Sequence, residues 1–166
     1  MYLLALTFGL GISYFLLLFL FSFFFENKKP RITKKSFYFV SLLCFLSFVG
    51  YNIAFSIHNP ALSNRFLHAF GGGFLAFLTC FLAVKENGLS IGKFCFFIFS
   101  ALIVTAMGVA NEIIEYFFQN YTDLGLIFAV SINDTWLDLL SNTVGMLIAS
   151  ICFVPFVHEK IVVWKK

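Results

Sequence analysis

Charged side chains are scarce in this sequence of 166 residues. Asp, Glu, Lys and Arg make up 11% of it, whereas a soluble domain usually carries about a quarter. Hydrophobic residues make up 61%, and the mean hydropathy is +0.96. This imbalance excludes an ordinary soluble domain and predicts an integral membrane protein.

Several other signals are also missing. The net charge of +3 is too small to indicate a nucleic-acid partner. No CxxC spacing occurs, so the four cysteines are interpreted as small buried hydrophobic residues rather than a disulfide or metal site. The chain has no internal repeat, which argues against a repeat-built transporter. Motifs of the phosphatidic-acid phosphatases are absent, and so is the D-G-x2-A-R part of the CDP-alcohol phosphotransferase motif.

Five apolar stretches approach or exceed the length of about 20 residues that a membrane-spanning helix needs. They cover 2–25, 37–57, 62–84, 92–118 and 135–157. The first is interpreted as a retained helix rather than a signal peptide, because its basic residues follow it. Segment 119–133 has polar ends and is predicted to lie at the membrane interface. We therefore expect one all-α membrane domain over 1–166, with two N-terminal helices in 1–57 and a three-helix core in 62–157.

The basic residues predict the orientation of these five transmembrane helices. Ten of the eleven Lys and Arg residues fall in the first loop, the third loop and the C-terminal tail, which share one side of the membrane in a five-span chain. Arg65 alone falls on the other side. The N-terminus is therefore predicted to lie outside and the C-terminus in the cytoplasm.

Polar residues of the last three helices meet at one depth in this topology. His68, Glu112 and Asp138 each lie roughly 5–10 Å inside the outer helix ends, at 1.5 Å per residue. Glu115 and Asp134 lie within a turn of them, and spacings of three or four residues put each group on one helix face. Because an ionised group in hydrocarbon costs several kcal/mol, these residues indicate a functional site.

The residue types predict three roles in this site. Glu112, Asp138 and His68 are candidates for general acid and base catalysis. His68, Glu112, Glu115, Asp134 and Asp138 are candidate ligands for a divalent cation such as Mg²⁺, Mn²⁺, Ca²⁺ or Zn²⁺. Arg65, Asn142 and Gly72 are candidates for substrate binding.

Each of these assignments has a structural alternative. Asp134 also suits the N-cap of the last helix. Arg65 suits a counter-ion to the acids or an anchor to lipid headgroups, and Asn142 suits an interhelical amide. The glycines at 71–73 leave room either for close helix packing or for a ligand, and packing is favoured.

The three motifs together resemble the VanZ-like family of small membrane proteins, over about residues 62–150. The last helix carries D-x-x-x-N-T-x-G from Asp138 to Gly145, the penultimate helix carries Glu112 and Glu115, and Arg65-Phe-Leu-His68 matches a K/D-x-x-H pattern. Glu115 departs from the commoner Gln of that family. Another group of inner-membrane proteins of unknown function has a similar E-x-x-E and W-D pattern.

Three functions are compatible with these observations. The first is an enzyme, for example a metal-dependent hydrolase or transferase, that acts on a membrane lipid or lipid-linked envelope precursor in the outer leaflet. The second is a non-catalytic binder; the VanZ-like resemblance implies a shield against glycopeptide-type antibiotics. The third is purely structural, and it ranks last because buried ion pairs add little stability. The sequence leaves the oligomeric state open.

Overall fold

The computed structural model describes residues 2–23, 32–121 and 132–157, and every regular element in those ranges is helical. Five helices follow one another: α1 (Tyr2–Phe21), α2 (Lys34–Phe55), α3 (Pro60–Asn87), α4 (Lys93–Tyr121) and α5 (Ile132–Phe153), with a short 3₁₀ turn at Val154–Phe156. Most of the predicted interfacial segment (122–131), Glu26 and the basic C-terminal tail lie outside the described residues.

Four helices of the described chain, α2 to α5, are long and apolar enough to cross a membrane. In α1 the described apolar stretch, Leu6–Phe21, is shorter. The prediction of an all-α polytopic bundle is therefore confirmed. The predicted bounds shift by a few residues, since α3 starts before Leu62, α4 runs to Tyr121 and α5 starts at Ile132.

Local sequence signals explain where two of these helices begin and one ends. Thr33 caps α2, and its backbone N–H donates to Ser36 Oγ at 3.0 Å, which forms a capping box. Asn59 caps α3 by accepting from the Leu62 N–H at 3.2 Å, with Pro60 in the first turn. Gly88 ends α3 in the left-handed region, at φ 62°, where glycine has no steric penalty.

Helix α3 is the central element of the bundle. About two-thirds of its apolar window is buried (67%), against 22% in each of α2, α4 and α5. Leu75, Phe77 and Cys80 are fully buried. The other helices expose large hydrophobic side chains, which suits surfaces that face lipid. Polar residues near the start of α3 are therefore in contact with the other helices, as the site described below shows.

The middle of α3 departs from α-helical geometry. Residues His68–Leu75 form a π-helical segment between the α-helical parts Pro60–Leu67 and Ala76–Asn87. Such segments are rare and occur frequently at functional sites. This segment contains Gly71, Gly72 and Gly73, and it begins at His68. The irregular geometry therefore starts at the predicted site.

Candidate functional site

Arg65 of α3 lies between two carboxylates of α5. Its Nη2 donates to Asp134 Oδ1 and its Nη1 donates to Asp138 Oδ1. Asn64 Nδ2 also donates to both oxygens of Asp138, at 3.2 and 3.3 Å. The Asp138 side chain is only 3% exposed, so it depends on these donors for its hydrogen bonds. This geometry fits the counter-ion interpretation of Arg65.

His68 connects this ion pair to a second group of residues. The imidazole is buried, and its Nε2 lies 3.5 Å from Asp138 Oδ2. One Asp138 oxygen therefore faces Arg65 and the other faces His68. A carboxylate in this position can fix the orientation of an imidazole ring.

Glu112 and Glu115 of α4 complete the second group. One nitrogen of His68 and one oxygen from each glutamate all lie within 4.8 Å of one another. Glu112 is buried, and its Oε1 has no hydrogen-bond partner among the described residues. A residue of the same helix holds the Glu115 side chain in place, because Asn111 Nδ2 donates to Glu115 Oε1 at 2.7 Å. An imidazole and two carboxylates are a donor set that suits a divalent cation such as Zn²⁺ or Mn²⁺.

Asn142 lies one turn below Asp138, where three helices converge. A Cβ at Gly72 of α3 would overlap its Oδ1, and a Cβ at Gly108 of α4 would lie 2.9 Å from its Nδ2. The space beside Gly72 is therefore filled by the Asn142 amide, which supports packing at this glycine. Asn142 is buried, and its Oδ1 has no hydrogen-bond partner in the described part of the chain.

The predicted residues thus come together from three helices, but in two groups. Arg65 engages Asp134 and Asp138, whereas His68, Glu112 and Glu115 form the three-residue set. Asp134 falls within the first turn of α5, which begins at Ile132, so it lies beyond the N-cap position. Asn64 was not predicted as a site residue, although it precedes His68 by four residues and therefore shares its helix face.

A second polar cluster, at the other end of α3, was also missed. Glu86 accepts hydrogen bonds from Tyr14 Oη, from Thr33 Oγ1 at 2.6 Å and from Ser36 Oγ at 2.6 Å. Asn87 Oδ1 accepts from Ser22 Oγ at 2.8 Å. These contacts join α1 and the start of α2 to the end of α3. The hydroxyl donors come from three separate places in the chain, so no local motif signals the cluster.

Apolar helices of spanning length, with polar clusters buried between them, define a multi-pass membrane protein. A family model described as "Predicted membrane protein (DUF2238)" matches residues 5–159, and the chain belongs to that family. No curated protein and no solved structure matches the chain. The family match supports the membrane prediction, while the VanZ-like resemblance stays a prediction.

Proposed function

We propose that this protein binds a divalent metal ion through His68, Glu112 and Glu115, and that it binds or processes the headgroup of an amphiphile there. The amphiphile is a membrane lipid or a lipid-linked precursor of the cell envelope. The observation that carries the proposal is the approach of the three ligand atoms to within 4.8 Å, with one Glu112 oxygen buried and without a donor among the described residues.

The excess of carboxylates in the two residue groups of the site favours the binding of a cation. Arg65 already faces Asp134 and Asp138, so its single positive charge is engaged by two carboxylates. Glu112 and Glu115 then add two further carboxylates beside His68. Buried charges of one sign need a counter-charge, and a divalent ion supplies it. Ligand atoms on one tetrahedral Zn²⁺ lie about 3.4 Å apart, so side chains whose ligand atoms lie within 4.8 Å of one another can reach a common ion by small movements.

A metal ion at this position would give the site a Lewis acid. An open coordination position would polarise a phosphoryl or ester oxygen, or activate a water molecule, and Glu112 would act as general base or acid. Asp138 would orient His68 rather than bind the ion, because its oxygens face Arg65, Asn64 and His68. In this scheme Glu112 and His68 are the candidates for catalysis, and Asp138, also predicted as catalytic, becomes a positioning residue for His68.

The alternative is a non-catalytic VanZ-like binder or shield that confers glycopeptide-type antibiotic resistance. It is favoured by the missing signatures of lipid phosphatases in the sequence and by the D-x-x-x-N-T-x-G stretch from Asp138 to Gly145. Both proposals use the same residues and the same orientation, with the N-terminus outside and the site in the outer leaflet. They differ in whether the bound amphiphile is changed.

Metal content tests the first proposal directly. Protein purified in detergent is stripped with chelator, incubated with Zn²⁺ or Mn²⁺, desalted and measured by elemental mass spectrometry. We expect about one ion per chain for the native protein, and none for Glu112→Gln or His68→Ala. Asp138→Asn should keep the ligands but weaken the affinity by about 10–100-fold.

Glu86→Gln is the matched control, since it removes a carboxylate from the opposite end of α3. It should bind metal like the native protein. Native protein that carries no ion, or Glu112→Gln protein that carries as much as the control, would contradict the metal site. Incubating the loaded protein with envelope lipids then separates the two proposals, because an enzyme changes the lipid masses and a binder only retains the lipids.

A further inference from the structure

A small cleft lies between α4 and α5, one helical turn deeper than the metal-binding residues. Gly108 precedes Glu112 by four residues on α4, and Asn142 follows Asp138 by four residues on α5, so both lie about 6 Å further along their helices. Gly108 and Asn142 both line the cleft, which has a volume of about 70 Å³. The cleft is therefore adjacent to the proposed metal site.

The inner wall of the cleft combines apolar side chains with one amide. Val104, Gly108 and Met146 are buried, and Asn142 is only 4% exposed. The amide nitrogen lies on the Gly108 side, whereas Oδ1 lies on the Gly72 side without a donor among the described residues. Asn142 Nδ2, on the cleft side, donates to none of the described residues, so it favours a ligand that brings an acceptor oxygen to this level.

The outer rim of the cleft faces the lipid. Thr105, Val109 and Thr143 line the rim and are exposed, and they belong to helices long and apolar enough to span the membrane. The Thr143 hydroxyl donates to the Leu139 carbonyl at 2.9 Å, so this rim hydroxyl presents no unpaired donor to the bilayer. In a bilayer, the molecules next to such a rim are hydrocarbon chains.

We infer that the amphiphile enters sideways from the bilayer through this cleft, with its headgroup at His68, Glu112 and Glu115. The linkage between headgroup and chain, an ester or phosphate oxygen, accepts a hydrogen bond from the Asn142 amide. The first carbons of one hydrocarbon chain occupy the cleft. This inference rests on the proposed function and adds the route of entry and the substrate class, a lipid with a polar linkage next to its headgroup.

The cleft volume limits what the protein recognises. A volume of about 70 Å³ encloses a few water-sized groups and not a whole hydrocarbon chain. The rest of the chain then lies in the bilayer beside Val109 and Thr105. Recognition therefore concerns the headgroup and its linkage, and lipids that differ only in chain length should bind alike.

Photocrosslinking in nanodiscs tests this route. The nanodiscs contain phosphatidylglycerol and phosphatidylethanolamine, with a trace of phosphatidylethanolamine that carries a diazirine near its acyl carbonyl. We expect the metal-loaded protein to form adducts concentrated at 139–146 and 104–109. Val109→Trp fills the rim and should lower these adducts several-fold. Leu102→Trp, at an exposed α4 position that does not line the cleft, should leave them unchanged.

Metal content is measured on the same samples, so a failure of the cleft proposal can be distinguished from a failure of the proposed metal site. Loss of adducts in Val109→Trp with metal binding intact supports the cleft. Adducts spread as densely over α1 and α2 as over α4 and α5 overturn it and leave the metal site standing. Cleft adducts on a native protein that binds no metal would support the lipid site while contradicting the proposed function.

Discussion

Arg65 joins α3 to α5 through two carboxylates. Its guanidinium donates to Asp134 and Asp138, and the Asp138 side chain is 3% exposed. Removing one partner of such a pair is costly, because the other charge then stays buried and unpaired.

Replacing Arg65 by Met should destabilise the protein strongly. The change leaves the Asp138 carboxylate, 3% exposed, without its charged partner, and such losses cost about 3–5 kcal/mol. Thermal or denaturant unfolding in detergent measures the effect. The double variant Arg65→Met with Asp138→Asn removes the unpaired charge, so it should recover part of the stability. A double variant no more stable than Arg65→Met alone would refute the ion-pair explanation.

The contacts of Arg65 were only partly predictable from the sequence. Its nearness to buried acids follows from helix spacing, because the start of α3 and the start of α5 lie at the same end of the bundle. Its pairing with Asp134 and Asp138, and not with Glu112 and Glu115, depends on the lateral positions of the helices, which the sequence does not specify. For the same reason the division of the acids into two groups was not predicted.

At the scale of helices, the positions of the helices in the chain were predictable, but the internal geometry of α3 was not. Runs of apolar residues locate α2 to α5, since length and hydropathy alone decide whether a helix can span a membrane. The π-helical segment from His68 to Leu75 has no comparable signal. Three consecutive glycines indicate close packing, and Gly73 indeed lies against the α5 backbone, but such a tertiary contact is not specified by local sequence.

Gly145 provides a sharp test of the contact between α3 and α5. A Cβ at Gly145 would overlap the backbone carbonyl of Ala69, and backbone atoms have little freedom to move aside. Gly145→Ala should therefore destabilise the protein by about 1–3 kcal/mol, despite the better helix propensity of alanine. The measurement is thermal unfolding in detergent, with metal content as a second readout of the nearby site.

Gly11→Ala is the matched control for this prediction. In the described part of the chain, no atom outside the local helix backbone lies within 4 Å of a Cβ built at Gly11, so the change adds a methyl group in open space. It should be neutral or slightly stabilising, since alanine favours helix over glycine. Equal effects of the two substitutions would mean that α3 and α5 are not in backbone contact.

At the scale of the molecule, two polar clusters mark opposite ends of the bundle. Glu86 and its hydroxyl partners lie at the end of α3 that also carries Lys85, near the start of α2 with Lys34 and Lys35. Arg65, His68 and the site acids lie at the other end. Leu6 of α1 packs at Gly71 and Tyr14 contacts Glu86, so α1 runs parallel to α3. This arrangement fits a chain whose successive helices cross the membrane in alternating directions.

The positive-inside rule assigns the Lys-rich end to the cytoplasm, and cysteine labelling checks that assignment. In a variant whose native cysteines are replaced by alanine, His58→Cys reports on the loop between α2 and α3. Gly92→Cys reports on the loop between α3 and α4, and both positions are exposed. A membrane-impermeant maleimide should label His58→Cys in intact cells and label Gly92→Cys only after permeabilisation. The reverse pattern would put the His68 site next to the cytoplasm and exclude an outer-leaflet substrate, because the bundle cannot present both ends to one side.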